Sequence, residues 1–272
     1  MNNDRIQEIL DLMEEARLDY FLISDPQSIA YCTGYYNDPH ERMFVFMISK
    51  HGNHTLFMND LFYLDHDLDV NIVWHKDGQD AIQTIVDEMH FPGRIGIDKN
   101  WASHFLLDLM KKLPDAKYIN ASPCVDLVRM KKDLQEQVLM IESSKINDAV
   151  MEEIIPFIQE GVTEKQLAKK LDELFFKHHS TCYGAIVAFG KNAADPHHEN
   201  DDTLLRKGDC VLIDMGCVYK GYCSDMTRTF FYEGILEEEI KVYEIVKKAN
   251  EAAEAMIKPG VKLSDIDKCC LL

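Results

Sequence analysis

The stretch Val211–Phe231, VLIDMGCVYKGYCSDMTRTFF, decides how the rest of the chain is read. An apolar run, Val211-Leu212-Ile213, leads into Asp214, and Tyr219-Lys220-Gly221 has the character of a turn. A second run carries Asp225 ahead of Thr227, Arg228, Thr229 and Phe230. Two β-rich segments around a short turn predict a hairpin. With a two-residue loop at Tyr219-Lys220, Val218 pairs with Gly221, and counting outward sets Asp214 directly opposite Asp225. Opposed residues share a face, with Cβ atoms ~5 Å apart. Two carboxylates held that close beside apolar neighbours repel each other and lose hydration. A divalent cation between them reverses the penalty, and Mn, Co and Zn all accept carboxylate oxygens. The alternative from spacing alone is a pair of solvent-facing aspartates at a hairpin rim, with Asp225 paired to Arg228.

A length of 272 residues suggests two domains. The apolar fraction of 46% supplies a core for each half. A net charge of −18 argues against nucleic acid as a partner, because phosphate binding needs clustered Lys and Arg. The opening MNNDRIQEILDLMEE carries acids early and has no signal-type apolar core. No run approaches the ~20 apolar residues of a membrane span, so no membrane association is expected. The eight cysteines show no CxxC spacing and read as reduced thiols of a cytoplasmic protein. Cys217 and Cys223 flank the hairpin turn; their spacing permits a disulfide that the expected compartment disfavours.

Residues 1–122 alternate between the two periodicities. Ile6, Ile9, Leu10 and Met13 mark an amphipathic helix, and Tyr20–Ile23 a buried strand. Asp25-Pro26 opens a helix. Met43–Ile48 and Thr55–Met58 flank a turn at His51-Gly52-Asn53. Strands follow at Asn71–Trp74, Arg94–Ile97 and Lys117–Ile119, with helices at Gly78–Met89 and Trp101–Leu113 between them. This is an α/β domain with a mixed sheet and flanking helices. A boundary is expected near Ala121-Ser122-Pro123, with Val125–Met130 as a connector. Beyond it lie a long helical pattern over 132–159, a capping box at Thr163–Gln166, β-rich segments at 183–189 and 209–231, and a helix over Glu237–Met256. Ser264 has the character of a cap for a last helix.

Several separated elements keep a recognisable order. They are Ala188-Phe189-Gly190-Lys191-Asn192-Ala193-Ala194, Pro196-His197, Lys207-Gly208-Asp209, Asp214-Met215-Gly216 and Gly221–Thr229. Together they resemble the aminopeptidase P and prolidase (Xaa-Pro dipeptidase) family, metallopeptidases of pita-bread fold with a creatinase-like N-terminal domain. The resemblance is architectural over 1–122 and specific over 183–231. It implies a creatinase-like domain at 1–122 and a partial α+β pita-bread domain at 123–272, incomplete at its C-terminus. It also implies that Asp214 chelates one metal and Asp225 bridges two, in a centre holding two Mn, Co or Zn ions. His197 matches the family's substrate-side histidine. Thr227 and Arg228 are expected to support the carboxylates from behind, and Phe189 and Tyr183 to pack or line the pocket. The implied substrate is a peptide with proline at its second position, and the implied assembly is a homodimer.

The same resemblance calls for a histidine in a Gly-His-Gly-like segment and two further glutamates. None follows Lys262–Asp267 before the sequence reaches Leu272. The expectation is therefore a shortened member, inactive alone and with part of its sheet unpaired. Two other functions compete: creatinase-like chemistry without metal, and a peptidase-like module that binds peptide or protein without cleaving it. Both Asp214 and Asp225 are present, which favours the metallopeptidase.

Overall fold

The computed structural model describes residues 1–90 and 92–271 and divides into two compact units, Met1–Lys132 and Asp133–Leu272. In the first unit, α1 (Asn3–Glu15) leads to β1 (Tyr20–Ile23) and α2 (Pro26–Thr33), which Asp25 caps by accepting from the Ser28 amide. β2 (Val45–Ser49), β3 (Thr55–Asn59) and β4 (Asn71–His75) follow, then α3 (Ala81–Asp87) and β5 (Arg94–Ile97). α4 (Ser103–Lys112), β6 (Lys117–Asn120) and α5 (Ser122–Met130) complete it. The six strands form one mixed sheet in the order β4-β3-β2-β1-β5-β6.

Why β1 is apolar throughout follows from its place at the centre of that sheet. Phe21 and Ile23 enter a core on one face, with Ile6, Ile9 and Met13 of α1. Tyr20 and Leu22 enter a second core on the other, with Ile82, Ile85 and Leu109. A strand covered on both faces needs no polar alternation. The segment expected to be a connector is instead α5, a helix whose Cys124, Val125 and Val128 are buried in the α1 core. Its apolar spacing gave it a partner, which a free connector would lack.

The second unit begins with α6 (Leu134–Ile154) and a short 3₁₀ turn, then α7 (Glu164–Lys177). The Thr163–Gln166 capping box is present at the start of α7. β7 (Thr181–Cys182), β8 (Ile186–Phe189), β9 (Cys210–Tyr219) and β10 (Tyr222–Phe231) form a sheet in which β10 and β7 flank β9 and β8 also pairs with β9. α8 (Glu237–Met256) and α9 (Leu263–Cys270) pack on each other and leave Val242, Ile245 and Val246 exposed. Ser264 is not the cap of α9: Lys262 holds that position and no side chain bonds there. Among the described residues, no helix is long and apolar enough to cross a membrane.

Residues Val211, Ile213, Met215 and Cys217 of β9 are buried against Val150, Leu167, Leu171 and Phe175 of α6 and α7. The alternate residues of β9 face the other way. The other face carries the aspartates and meets α8 at the base of the hairpin, where Phe231 packs edge-on against Tyr243.

Asp19 ties the strands of the first sheet at their entry. Its carboxylate accepts from the amides of Gly93 (3.0 Å) and Arg94 (2.7 Å) and pairs with Lys50. Burial alone would raise its pKa, but Lys50 and the two amides outweigh it and hold the carboxyl below its ordinary value. A depressed folded-state value contributes stability above the unfolded value of ~3.9, lost as pH falls through the folded one. Asp19→Asn is therefore expected to destabilise the protein by about 1–2 kcal/mol at neutral pH, read by urea denaturation. The deficit should shrink as pH falls below about 4; a deficit that stays unchanged well below that pH would show the charge to be irrelevant.

Candidate functional site

The hairpin closes through Lys220 and Gly221, whose φ values of 49° and 84° both lie in the left-handed region. That is the conformation of a two-residue type I′ turn, which matches the twist of the strands it joins and favours Gly at its second position. The closing pair is therefore Tyr219–Tyr222. This corrects the expected register. Asp214 lies opposite Thr227, and Asp225 lies opposite Gly216. Moving the loop by one residue moves every partner by two, and a shift of two keeps the face. Asp214, Gly216, Asp225 and Thr227 therefore share one face, with the aspartates related diagonally rather than directly. Such diagonal positions are ~7–8 Å apart between Cα atoms, closer between side chains.

Thr227 Oγ1 donates to Asp214 Oδ1 at 2.6 Å. This fixes the carboxylate's rotation and leaves its second oxygen free. Asp225 is exposed on the same face. Arg228 is on the other face, opposite Ile213, and its guanidinium donates to the Thr227 carbonyl at 2.9 Å. It therefore does not reach round to support either carboxylate as expected, because adjacent residues of a strand point to opposite sides.

Tyr183, expected to pack or line the pocket, lies at the edge of the aspartate face, by a contact that the sequence did not specify. Its hydroxyl donates to the Ser224 carbonyl at 2.8 Å. It lies over Gly216, where an added Cβ would meet the Tyr183 hydroxyl at 2.2 Å and the Ser224 carbonyl at 2.3 Å. Burial pushes the phenol's pKa up, followed by the charge of Asp225, Cys223 and Asp214. The phenol therefore stays protonated as a donor at the edge of the acidic face. Only the lack of a side chain at Gly216 admits it, a signal that a Gly inside a strand does carry.

His197 sits on the exposed loop before β9, where its amide donates to Asp195 Oδ1 at 3.0 Å. Among the described residues, its ring enters no hydrogen bond with Asp214 or Asp225. The loop is anchored by Glu164 at the first turn of α7, a fully buried carboxylate. One oxygen of Glu164 accepts from the Phe189 amide and Asn192 Nδ2, both at 2.9 Å. The other pairs with His198 Nε2 at 2.6 Å and accepts from the Asp201 amide at 3.0 Å. Glu164, His198 and Asp201 are close enough for a metal cluster, with ligand atoms within 4.8 Å. The Glu164 oxygens are nevertheless each spent on two partners, so the group is a structural hub that holds the His197 loop to α7. Nothing in the T-E-K-Q capping pattern tells that its glutamate is buried.

A separate cleft of about 220 Å³ lies in the first unit, beyond the carboxyl ends of β1 and β5. Its cations are already paired, Lys99 with Asp126 and Arg129 with Asp25. Those pairs leave neither cation of the lining free to meet an anionic ligand.

The sequence pattern of metallopeptidase family M24 matches residues 138–271, and that of the creatinase/prolidase N-terminal domain matches residues 5–131. An uncharacterized peptidase of Staphylococcus aureus is 29% identical over 272 residues, covering 97% of this chain and 76% of the relative. A dipeptidase from Pyrococcus horikoshii superposes with a TM-score of 0.88 at 32% identity, covering 98% of this chain and 76% of that one. The Xaa-Pro dipeptidase from Bacillus anthracis does so at 0.88 and 25%, covering 98% and 75%. These matches bear out the two-part creatinase and pita-bread architecture expected from the motifs.

Gly216→Ala is expected to cost about 1–3 kcal/mol, as overpacking does. Adding Tyr183→Phe should recover only part of it, because the Ser224 carbonyl still blocks the new methyl group. Thermal denaturation of the single and double variants measures this. Full recovery would mean that the phenol alone excludes a side chain there.

Proposed function

The chain belongs to metallopeptidase family M24, and we propose that it acts at the peptide bond preceding proline, through a divalent-metal centre to which Asp214 and Asp225 contribute carboxylates. One observation carries this reading: the two carboxylates share one face of the hairpin as diagonal neighbours, two rungs apart, with Thr227 orienting Asp214. The donor set fits a hard or borderline cation such as manganese, cobalt or zinc. An ion takes three or four donors, so the hairpin gives part of a ligand set. When bound, such ions polarise a carbonyl and bring the pKa of a bound water towards neutrality.

The remaining roles fall to the chain's own groups. Asp214 presents the oxygen that Thr227 does not engage. Asp225 supplies a carboxylate open to solvent. His197 offers an imidazole to the carbonyl side of the substrate, from a loop that Glu164 and His198 hold in place. Tyr183 closes one edge of the face and keeps its proton there. Proline specificity is supported by the Xaa-Pro dipeptidase and prolidase among the structural neighbours. The proposed setting is a cytoplasmic homodimer; the free cysteines suit that compartment.

Titration with Mn²⁺, followed by calorimetry, tests the centre. Asp214→Asn and Asp225→Asn should each weaken binding at least ~10-fold, the scale of losing a ligand or its support. His197→Ala should leave Mn²⁺ affinity unchanged, and in a chain that also carries the remaining ligands it should lower turnover of an Xaa-Pro dipeptide by about 10²-fold. Unaltered Mn²⁺ binding in both aspartate variants would remove the basis of the assignment.

A further inference from the structure

We propose that Cys182 and Cys217 are a redox site: oxidised by a hydroperoxide, they join in a disulfide that clamps β7 to β9 on the face of the sheet opposite the two aspartates. The inference rests on strand register and is independent of the peptidase reading. Cys182 and Cys217 are direct partners across the antiparallel β7–β9 pair. The next rung is Tyr183 with Gly216, where the Tyr183 amide donates to the Gly216 carbonyl at 3.4 Å. Hydrogen-bonded and non-hydrogen-bonded rungs alternate along an antiparallel pair, so the cysteines occupy a non-hydrogen-bonded rung. There the Cα atoms lie ~4.5 Å apart and the side chains are closest. That separation is inside the range that a disulfide spans, ~4.4–6.8 Å.

The hairpin gives the same answer from the other side. A two-residue loop closed by Tyr219–Tyr222 directs the backbone groups of Tyr219, Cys217 and Met215 towards β10. Those of Val218 and Gly216 then point towards β7. Cys217 has no backbone bond to β7 to distort, so a cross-link there leaves the ladder intact.

Both thiols lie on the core side. Cys182 packs against the cluster that contains Cys217. Cys217 Sγ now faces Ser143, 3.7 Å from its carbonyl and 3.5 Å from its hydroxyl, and lies 3.4 Å from Ser224 Oγ. The two serine hydroxyls also bond each other at 3.0 Å, so turning Cys217 towards β7 orphans neither. The other spacing-based candidate, Cys217 with Cys223, is ruled out. Cys223 lies opposite Val218, on the face of the aspartates, and Cys217 lies opposite Ser224 on the other face.

The reaction balances in two steps. A hydroperoxide oxidises the half-exposed Cys182 thiol to a sulfenic acid and leaves as the alcohol, or as water when the oxidant is hydrogen peroxide. The Cys217 sulfur then attacks the Cys182 sulfur, forming the S–S bond and releasing water. Burial pushes the Cys182 thiol's pKa up, so its oxidation is the slow step, and the proximity of Cys217 speeds only the closing of the disulfide. The consequence is local. β7 is two residues long, and the chain leaves it through Gly184 at φ 117°, a conformation that favours glycine. Elements held so lightly open at low cost. The cross-link holds the strand, and with it Tyr183 over Gly216.

The test treats the native 272-residue chain with hydrogen peroxide, blocks free thiols, and maps non-reduced peptides by mass spectrometry. The expected result is a linked pair containing Cys182 and Cys217 in most molecules, reversed by reductant, with amide exchange at Tyr183 slowed at least 10-fold. Cys182→Ser should abolish the linked pair. Because the wild-type map needs no variant, a poorly folded substitution leaves the test standing. Recovery of both thiols unlinked, while exposed Cys223 and Cys270 are oxidised, would overturn the proposal. So would a Cys182 linked to any other cysteine.

Discussion

Two backbone angles at one turn govern this site. Lys220 and Gly221 both adopt positive φ, and that alone selects Tyr219–Tyr222 as the closing pair. From it follows every facing relation in β9 and β10: Asp214 with Thr227, Gly216 with Asp225, Cys217 with Ser224. A glycine is the cheapest residue at the second turn position, because it has no Cβ to strain there. A substitution at Gly221 would therefore act on the acidic face from four residues before Asp225 and seven after Asp214, by changing the cost of the register rather than by touching a carboxylate.

The face shared by the aspartates could be read from the sequence; their rung could not. Placing the loop at Tyr219-Lys220 instead of Lys220-Gly221 misassigned each partner by two, and an even error preserves sidedness. The preference of type I′ turns for glycine second was the signal that separates the two placements. Arg228 shows the converse limit. Its neighbour Thr227 supports Asp214, and a motif read as a block assigned both the same role. Strand geometry separates adjacent residues onto opposite faces and sends Arg228 away. The strands and helices of the first unit are legible because their apolar spacing is strong, yet α5 reads as a connector in the sequence because its short apolar pattern has meaning only once α1 is beside it. Glu164 is the deepest omission. A charged residue in a capping box normally faces water, and only the convergence of Phe189, Asn192, His198 and Asp201 on it explains why it is buried.

The β9–β10 hairpin divides its labour between faces. One side is filled by α6 and α7, with Val211, Ile213 and Met215 excluded from water. Burying an aliphatic side chain stabilises by about 1.5–3 kcal/mol, so these residues resist any slip that would expose them. A one-residue slip would bury Asp214 and Asp225 and expose the core at once. The apolar side thus enforces the placement of the acidic side, and two mutually repelling carboxylates are kept on one face by residues that never touch them.

Tyr183 joins the two faces. It hydrogen-bonds the Ser224 carbonyl from the acidic side, while Cys182, one residue earlier, packs into the core. A strand of two residues carries both, so a change on the core side is transmitted to the acidic side through a single peptide unit. Most surface features of a sheet are insulated from its far face by the backbone ladder. Here the ladder is two rungs long and β9 presents a glycine where the phenol lies, so the insulation is least where the carboxylates stand.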